Sequence, residues 1–239
     1  MEKGRTKAAA RQESRNAMLK AGAEILHRVP VGDVLSQVKA TNVAKLANRT
    51  TGSFYNIWVD HEAYLRDLIR YVLEPSRFDA VTQVIKEEIT RQEGASYPEL
   101  IKSVAEKNFT ALKGDPFMSL QLALWAKRGS DHEMTEHLRA LYRSLNDKLI
   151  PVYDDLLKDL GRRMRPPYKV EHLAVALMAL LEGLHIRSEI DAEAVPEDLG
   201  ASPEGVEYDP AHPWGLFAAA AYALIEAMTT ESPEGSDMT

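Results

Sequence analysis

The residues best suited to contact another molecule form one short segment near the N-terminus, Thr50-Thr51-Gly52-Ser53-Phe54-Tyr55. Its first four residues are small or hydroxylated, so a helix that begins here can approach a phosphate group closely. The phenol of Tyr55 suits a phosphate oxygen, and the amide of the following Asn56 suits a phosphate or an adenine edge. Phe54 is expected to point into the protein. The segment therefore predicts a helix that enters the major groove of DNA.

A preceding short helix and a turn must position this segment. The apolar pattern of residues 43–47 indicates that helix, and Thr41 or Asn42 is expected to cap its first free amides. We also expect Thr41 and Asn42 to face DNA. Asn48 lies in the turn, where asparagine tolerates a left-handed backbone. Two short helices joined in this way are typical of a helix-turn-helix, although the same packing occurs in proteins that do not bind DNA.

The charge of the chain is divided unevenly. Its formal net charge is -7, but residues 1–72 carry +5 and residues 73–239 carry -12. A basic N-terminal part favours a polyanionic partner because neutralised phosphates supply most of the sequence-independent affinity for DNA. Chance patterning on a solvated surface would produce the same division. Arg5, Lys7 and Arg11 are the cations that we expect to reach the DNA backbone.

Most of the remaining chain repeats apolar residues every three or four positions, and no useful stretch alternates with a period of two. The sequence therefore predicts an all-α fold. We expect a flexible basic arm at 1–10, a helix-turn-helix DNA-binding domain at 11–60, a second helical domain at 61–230 and a disordered tail at 231–239. Cysteine is absent, so disulfides and thiolate metal sites are impossible.

The N-terminal motif resembles the tetracycline-repressor (TetR) family of transcriptional regulators. The resemblance covers roughly residues 11–72 and rests on Val43-Ala44-x-x-Ala47, on the segment from Thr50 to Tyr55, and on Trp58-x-Asp60-x-Glu62-Ala63-x-Leu65. It implies a three-helix DNA-binding domain followed by a C-terminal helical domain for ligand binding and dimerisation. It also assigns Gly52, Phe54 and Tyr55 to the recognition helix of a homodimer.

The sequence departs from the family pattern in the turn and at the start of the following helix. Asn48-Arg49 replaces the usual glycine and apolar residue, so either Arg49 extends out of the turn or the packing there differs. His61 stands where lysine is common. A phosphate contact from His61 would weaken as pH rises through the titration range of its imidazole.

The C-terminal domain offers candidates for two further sites. Aromatic, methionine and leucine side chains on its central helices either form ordinary core or line a small-molecule pocket: Phe109, Phe117, Met118, Leu120, Trp125, Met134, Leu138 and Tyr142. Two later helices are apolar on most sides, and the resemblance implies that they form the dimer interface: Leu173, Ala176, Leu177, Leu180, Leu181, Leu184, Phe217, Ala220, Ala221, Leu224 and Ile225. His132 and His137 diverge around their helix, so we expect no metal site.

These observations predict a cytoplasmic, ligand-responsive repressor that binds a palindromic operator as a homodimer and is released by a small apolar or amphipathic effector. The alternative is a helical small-molecule sensor or scaffold that acts through a protein partner without binding DNA. No Gly-x-Ser-x-Gly or P-loop motif is present, so we do not expect an enzyme. Neither a cofactor nor a membrane association is expected.

Overall fold

The computed structural model describes residues 2–26, 38–72, 74, 79–112 and 132–232, with side chains from Lys7 onward and excluding those of 79–81 and 133–134. Almost all of its regular structure is helical, which confirms the predicted all-α fold. The elements in chain order are α1 (Glu2–Leu26), α2 (Ala40–Leu46), α3 (Thr51–Tyr55), α4 (His61–Val72), α5 (Asp79–Arg91), α6 (Tyr97–Leu112), α7 (His132–Asp159), β1 (Arg162–Met164), α8 (Val170–Ile190), a 3-10 turn (Ala192–Ala194), α9 (Leu216–Met228) and β2 (Thr229–Glu231).

The described residues divide into two compact units. The first unit comprises α1 to α4 with residues 132–141 of α7, and the second comprises α5, α6, residues 142–159 of α7 and the chain from there to Ser232. The predicted boundary at residue 60 differs from this division because α4 packs on α1. The hydroxyl of Tyr64 in α4 donates to the carbonyl of Met18 in α1 at 3.0 Å, with both side chains fully buried.

Three aromatic rings form the centre of the first unit. Phe54 lies 5.0 Å from Trp58 and 4.8 Å from Tyr64 between ring centroids, and Trp58 and Tyr64 lie 4.8 Å apart. Such pairs add to the free energy of burial because their edges and faces carry opposite partial charges. The cluster joins α3 and α4 to α1, so it fixes the orientation of α3.

Two helix starts differ from the sequence-based expectation. Helix α1 begins at Glu2, so the predicted flexible arm at 1–10 is wrong for the backbone. The small, alanine-rich residues there lack an apolar stripe, but alanine is the strongest helix former and continues the helix. Helix α2 begins at Ala40 after Lys39, without a side-chain cap, so Thr41 and Asn42 lie inside the helix and do not cap it.

The core of the second unit lies between α6, α8 and α9, with α7 alongside. Strands β1 and β2 pair antiparallel, with Arg162 opposite Glu231, so Glu231 is ordered and does not begin the predicted tail. Residues 233–239 of that tail lie outside the described residues. The connection from α8 to α9 is tied down, since Leu199 N–H donates to the Trp214 carbonyl at 2.9 Å and Trp214 is buried.

Candidate nucleic-acid interface and internal cavity

Helix α3 is short and begins with a side-chain cap. Thr50 has an extended backbone, and its Oγ1 accepts a hydrogen bond from Ser53 N–H at 3.1 Å. The Ser53 hydroxyl lies 2.9 Å from the same oxygen. Capping satisfies one of the free amides at the start of a helix and stabilises it by about 1 kcal/mol. Thr50 and Ser53 therefore already have a local role in holding the start of α3.

The two sides of α3 are chemically distinct. Phe54 is fully buried, which confirms its predicted inward orientation, whereas Tyr55 is 53% exposed. Gly52 and Asn56 are exposed and Thr51 is half-buried. The ring of Tyr55 packs edge to face on Phe54 at 5.3 Å. Packing in the core thus holds α3 in place while its outer side, with Tyr55, faces solvent.

Gly52 stands out because the described structure gives no reason for a glycine there. A Cβ built at position 52 would meet only Thr50 Oγ1, at 3.8 Å, which is an ordinary contact. Gly22 in α1 is the opposite case, since a Cβ there would overlap the hydroxyl of Tyr64. Internal packing requires the glycine at 22 but not at 52, so any steric demand on Gly52 comes from outside the described chain.

The turn between α2 and α3 is held by Arg49. Asn48 has φ 52°, which confirms the left-handed backbone predicted for the turn. Arg49 reaches back to α1, where Nε donates to Ser14 Oγ at 3.2 Å and Nη2 to Glu13 Oε1 at 3.0 Å. Arg49 is therefore occupied within the protein, as a clamp between the turn and α1.

Cations of α1 lie beside the end of α3. Lys7 and Arg11 are exposed and one helical turn apart, and Arg11 Nη2 lies 3.4 Å from the carbonyl oxygen of Ile57. Arg15 is bound inward, because its Nε and Nη2 donate to Asp67 Oδ2 at 3.1 and 3.0 Å. The side chain of the predicted contact Arg5 lies outside the described residues.

Asp67 is a positioning residue that the sequence analysis missed. Its Oδ2 also accepts from the indole N–H of Trp58 at 2.7 Å, so one carboxylate ties α4 to the residues after α3 and to α1. The signal available in the sequence was weak: an acid on the exposed side of an amphipathic helix. Only the folded chain brings Arg15, 52 positions away, to that acid.

His61 does not stand free for a phosphate. Its Nε2 lies 2.6 Å from the Val38 carbonyl oxygen, and because a carbonyl only accepts, this nitrogen donates. The ring is half-buried. The prediction of His61 as a DNA contact is thus corrected to a bond that anchors the start of α4 to the segment before α2. Thr41 and Asn42 are exposed on α2, where both can still meet a partner.

A cavity of about 50 Å³ lies inside the second unit. Its lining comes from α5 to α9: Ile85, Ile101, Val104, Ala105, Asn108, Tyr153, Leu156, Leu157, Leu173, Leu177, Met178, Leu181, Phe217, Ala221 and Ile225. Asn108 and Tyr153 are the lining residues with polar side chains. Asn108 is buried, and burial raises the pKa of the Tyr153 hydroxyl to about 12.

The three predicted pocket residues that the structure describes with their side chains do not line the cavity. Phe109 is buried, and its ring stacks on that of Phe217 with 5.2 Å between the ring centroids. Phe217 lines the cavity, whereas Phe109 does not. Leu138 is buried in the first unit, and the Tyr142 hydroxyl lies 3.5 Å from Glu182 Oε2. Phe117, Met118, Leu120 and Trp125, and the side chain of Met134, lie outside the described residues. The sequence analysis missed Asn108, although it is the polar residue in the apolar series Ile101, Ala105, Leu112.

Helices α8 and α9 each divide into a buried and an outer face. Six of the predicted interface residues are buried within one chain and so offer little surface to a partner: Leu173, Leu177, Leu181, Phe217, Ala221 and Ile225. The other five, Ala176, Leu180, Leu184, Ala220 and Leu224, are half-buried. They continue into exposed apolar or small residues, namely Val175, Ala179, Gly183, Ala223 and Ala227. We call these ten residues the outer face of α8 and α9.

The described part of the chain contains neither a metal site nor a membrane-spanning helix. No group of three or more histidine or acidic side chains there is arranged to hold a metal ion. None of the helices it contains has the length and apolar character needed to cross a membrane.

Comparison with known proteins yields a family model and a fold. Residues 98–201 match the model of the BetI-type transcriptional repressor C-terminal domain. No curated protein matches the sequence. Among solved structures, a TetR-family regulator from Cytophaga hutchinsonii shares 14% identity and a TM-score of 0.61 over 93% of this chain and 98% of that one. Escherichia coli NemR in its reduced form shares 14% identity and a TM-score of 0.58 over 92% and 99%. A TetR-family regulator from Mesorhizobium loti shares 12% identity and a TM-score of 0.58 over 91% of this chain and 95% of that one.

Proposed function

We propose that the chain is a ligand-responsive repressor of the TetR family, because it shares the fold of TetR-family structures and its C-terminal part matches a repressor family model. It binds operator DNA as a homodimer through α3. The observation that carries the proposal is the division of α3 into a buried Phe54 and an outer side of Thr51, Gly52 and Tyr55, on which no internal contact requires glycine.

The DNA contacts fall into two groups. The outer side of α3 and Asn56 meet base edges and phosphates in the major groove, and Thr41 and Asn42 of α2 contact the flanking backbone. Lys7 and Arg11 extend the contact along α1, where both are exposed. Arg49 and His61 support the surface from within, since each already bonds to the protein.

The homodimer forms through the outer face of α8 and α9. That face is apolar over both helices, and Val175 on it is 53% exposed in the single chain. A contiguous apolar patch of this kind marks an interaction site, and a second copy of the same surface covers it with two-fold symmetry. A symmetric dimer presents its two α3 helices to successive major grooves about 34 Å apart, so the operator is palindromic.

Release of DNA follows from binding in the second unit. A ligand that binds one arrangement of the dimer better than the other shifts the population toward it, by no more than its differential affinity. The matched family is described as a repressor, so ligand binding lifts repression. A chain that acts on operator DNA in this way works in the cytoplasm.

Two conservative substitutions on α3 test the role in DNA binding. Tyr55→Phe keeps the ring contact with Phe54 and removes only the exposed hydroxyl, and Thr51→Ala removes a second hydroxyl. Each is expected to weaken operator binding several-fold while the melting temperature stays within about 2 °C, because exposed substitutions change stability little. Tyr168→Phe in the second unit, at a tyrosine of similar exposure, is the matched control. Equal losses of stability and affinity would make Tyr55 and Thr51 structural and would refute the proposal for α3.

A further inference from the structure

We propose that the cavity of the second unit takes an uncharged, mainly apolar molecule with a single hydrogen-bonding group, which Asn108 and Tyr153 hold. This inference rests on the proposed function, because it names the chemical class of the effector. It is argued from the residues that line one cavity and from the burial of the two polar side chains among them.

The lining excludes a charged ligand. Apart from Asn108 and Tyr153, the described side chains around the cavity are aliphatic, thioether or phenyl, and none of them is acidic or basic. An ion moved from water into such surroundings loses its hydration and gains no counter-charge, which is among the most unfavourable transfers in proteins. Carboxylates, phosphates and ammonium compounds are therefore rejected, and a hydrocarbon body is accepted.

The two polar side chains determine which hydrogen-bonding group a ligand of this cavity must carry. Asn108 is only 8% exposed and Tyr153 is half-buried, and both side chains line the cavity. A mainly apolar pocket orients its ligand through the few polar groups placed in its lining, so Asn108 and Tyr153 are the groups that would hold a ligand here. An amide both donates and accepts, as does a phenol, so the matching group is an alcohol, ketone, aldehyde, ester or amide.

The volume sets the size of the ligand. A void of about 50 Å³ is smaller than the roughly 150 Å³ engineered cavity known to hold benzene. Met178 lines the cavity from α8 and is half-buried, and its unbranched thioether chain adopts new conformations readily. A ligand of about one ring therefore requires the cavity to widen, and Met178 is the lining side chain best suited to move.

Four probes of one shape test the proposal on the full-length protein: toluene, benzyl alcohol, benzoate and benzylamine. Their dissociation constants are measured by calorimetry for the parent chain, Asn108→Leu and Tyr153→Phe. Benzyl alcohol is expected to bind the parent roughly 3- to 10-fold more tightly than toluene, the effect of one net hydrogen bond. The two ions are expected to show no binding. In Asn108→Leu, the affinity for benzyl alcohol should fall to that for toluene, while the affinity for toluene stays unchanged. In Tyr153→Phe, only the affinity for benzyl alcohol should fall.

The opposite results are equally definite. Binding of benzoate or benzylamine as tightly as benzyl alcohol, failure of all four probes, or an unchanged preference for the alcohol in both variants would overturn the inference. Tyr153→Phe keeps the test valid where Asn108→Leu does not fold, since it removes a single oxygen. Operator binding is measured on the same preparations. Loss of probe binding with intact DNA binding refutes this inference alone, whereas probe binding without any DNA binding refutes the proposed function and leaves the site standing.

Discussion

Replacing Gly52 by alanine should raise stability and lower DNA affinity at once. Gly52 lies in α3 with an ordinary helical backbone, and the added methyl would meet only Thr50 Oγ1, at 3.8 Å. Where alanine fits without strain it stabilises a protein by about 0.4–1 kcal/mol, mainly by restricting the unfolded chain. For a chain of this size that corresponds to a rise in melting temperature of about 1–4 °C.

The same methyl should interfere with DNA. If α3 lies against the floor of the major groove, a side chain at 52 enters an interface already packed to contact distance. Inserting a methyl into close packing costs about 1–3 kcal/mol, which is roughly a 5- to 150-fold loss of affinity for each α3 in contact. No contact within the protein produces such a loss, so the opposite signs of the two effects identify an external partner.

Fluorescence anisotropy with an operator duplex and calorimetric melting measure the two effects on one preparation. Gly22→Ala is the matched control, because its Cβ would overlap the Tyr64 hydroxyl and should lower the melting temperature. Wild-type affinity in a stabilised Gly52→Ala protein would show that DNA does not approach α3 at this residue. A loss of stability in Gly52→Ala would show that the packing argument is wrong.

Three further predictions concern the clamp, the dimer and the second unit. Arg49→Ala should weaken operator binding without changing its salt dependence, because Arg49 bonds to Glu13 rather than to phosphate; a shallower salt slope would make it a DNA contact. Gly183→Arg should give monomers in sedimentation equilibrium, because Gly183 lies on the outer face and a single chain leaves space there for a side chain. Glu189→Arg, on another side of α8, should leave the dimer intact. An unchanged dimer dissociation constant for Gly183→Arg would contradict this prediction. The Arg91 guanidinium lowers the pKa of Glu88 to about 2, so the stability that this pair contributes is present above pH 4.5 and lost as pH falls toward 2. Glu88→Gln should remove about 1–3 kcal/mol at neutral pH, less than the full shift because Arg91 is exposed, and a melting curve with the same acid dependence as the parent would refute it.

Local chemistry made part of the first unit predictable. The inward Phe54 and the left-handed Asn48 follow from helix periodicity and from asparagine's tolerance of that backbone, and both are present. Asp60 caps α4, since its Oδ1 accepts a hydrogen bond from Ala63 N–H at 2.7 Å. The sequence does not specify the direction of the Arg49 side chain, because its partner Glu13 is 36 positions away and no pattern of neighbouring residues indicates such a pairing.

The second unit shows why the other sites were harder to predict. Helices α8 and α9 are apolar on most sides, so hydrophobic periodicity locates the helices but not which face is buried. That is why Leu177 and Phe217 were assigned to an interface and lie in the core. The cavity is a local gap between packed helices, and its lining depends on the fit of side chains from α5 to α9, which the spacing within any one helix does not contain.

The most direct test of the account is the salt dependence of binding to DNA from upstream of the chain's own gene, compared with a scrambled duplex of the same length. We expect the logarithm of the association constant to fall linearly with the logarithm of the salt concentration. Each phosphate that the protein neutralises contributes about 0.9 to the slope, and we expect several such phosphates. We also expect the upstream duplex to bind at least about 10³-fold more tightly than the scrambled one. Equal affinity for the two duplexes, or no salt-dependent binding to either, would contradict the claim that this chain is an operator-binding regulator.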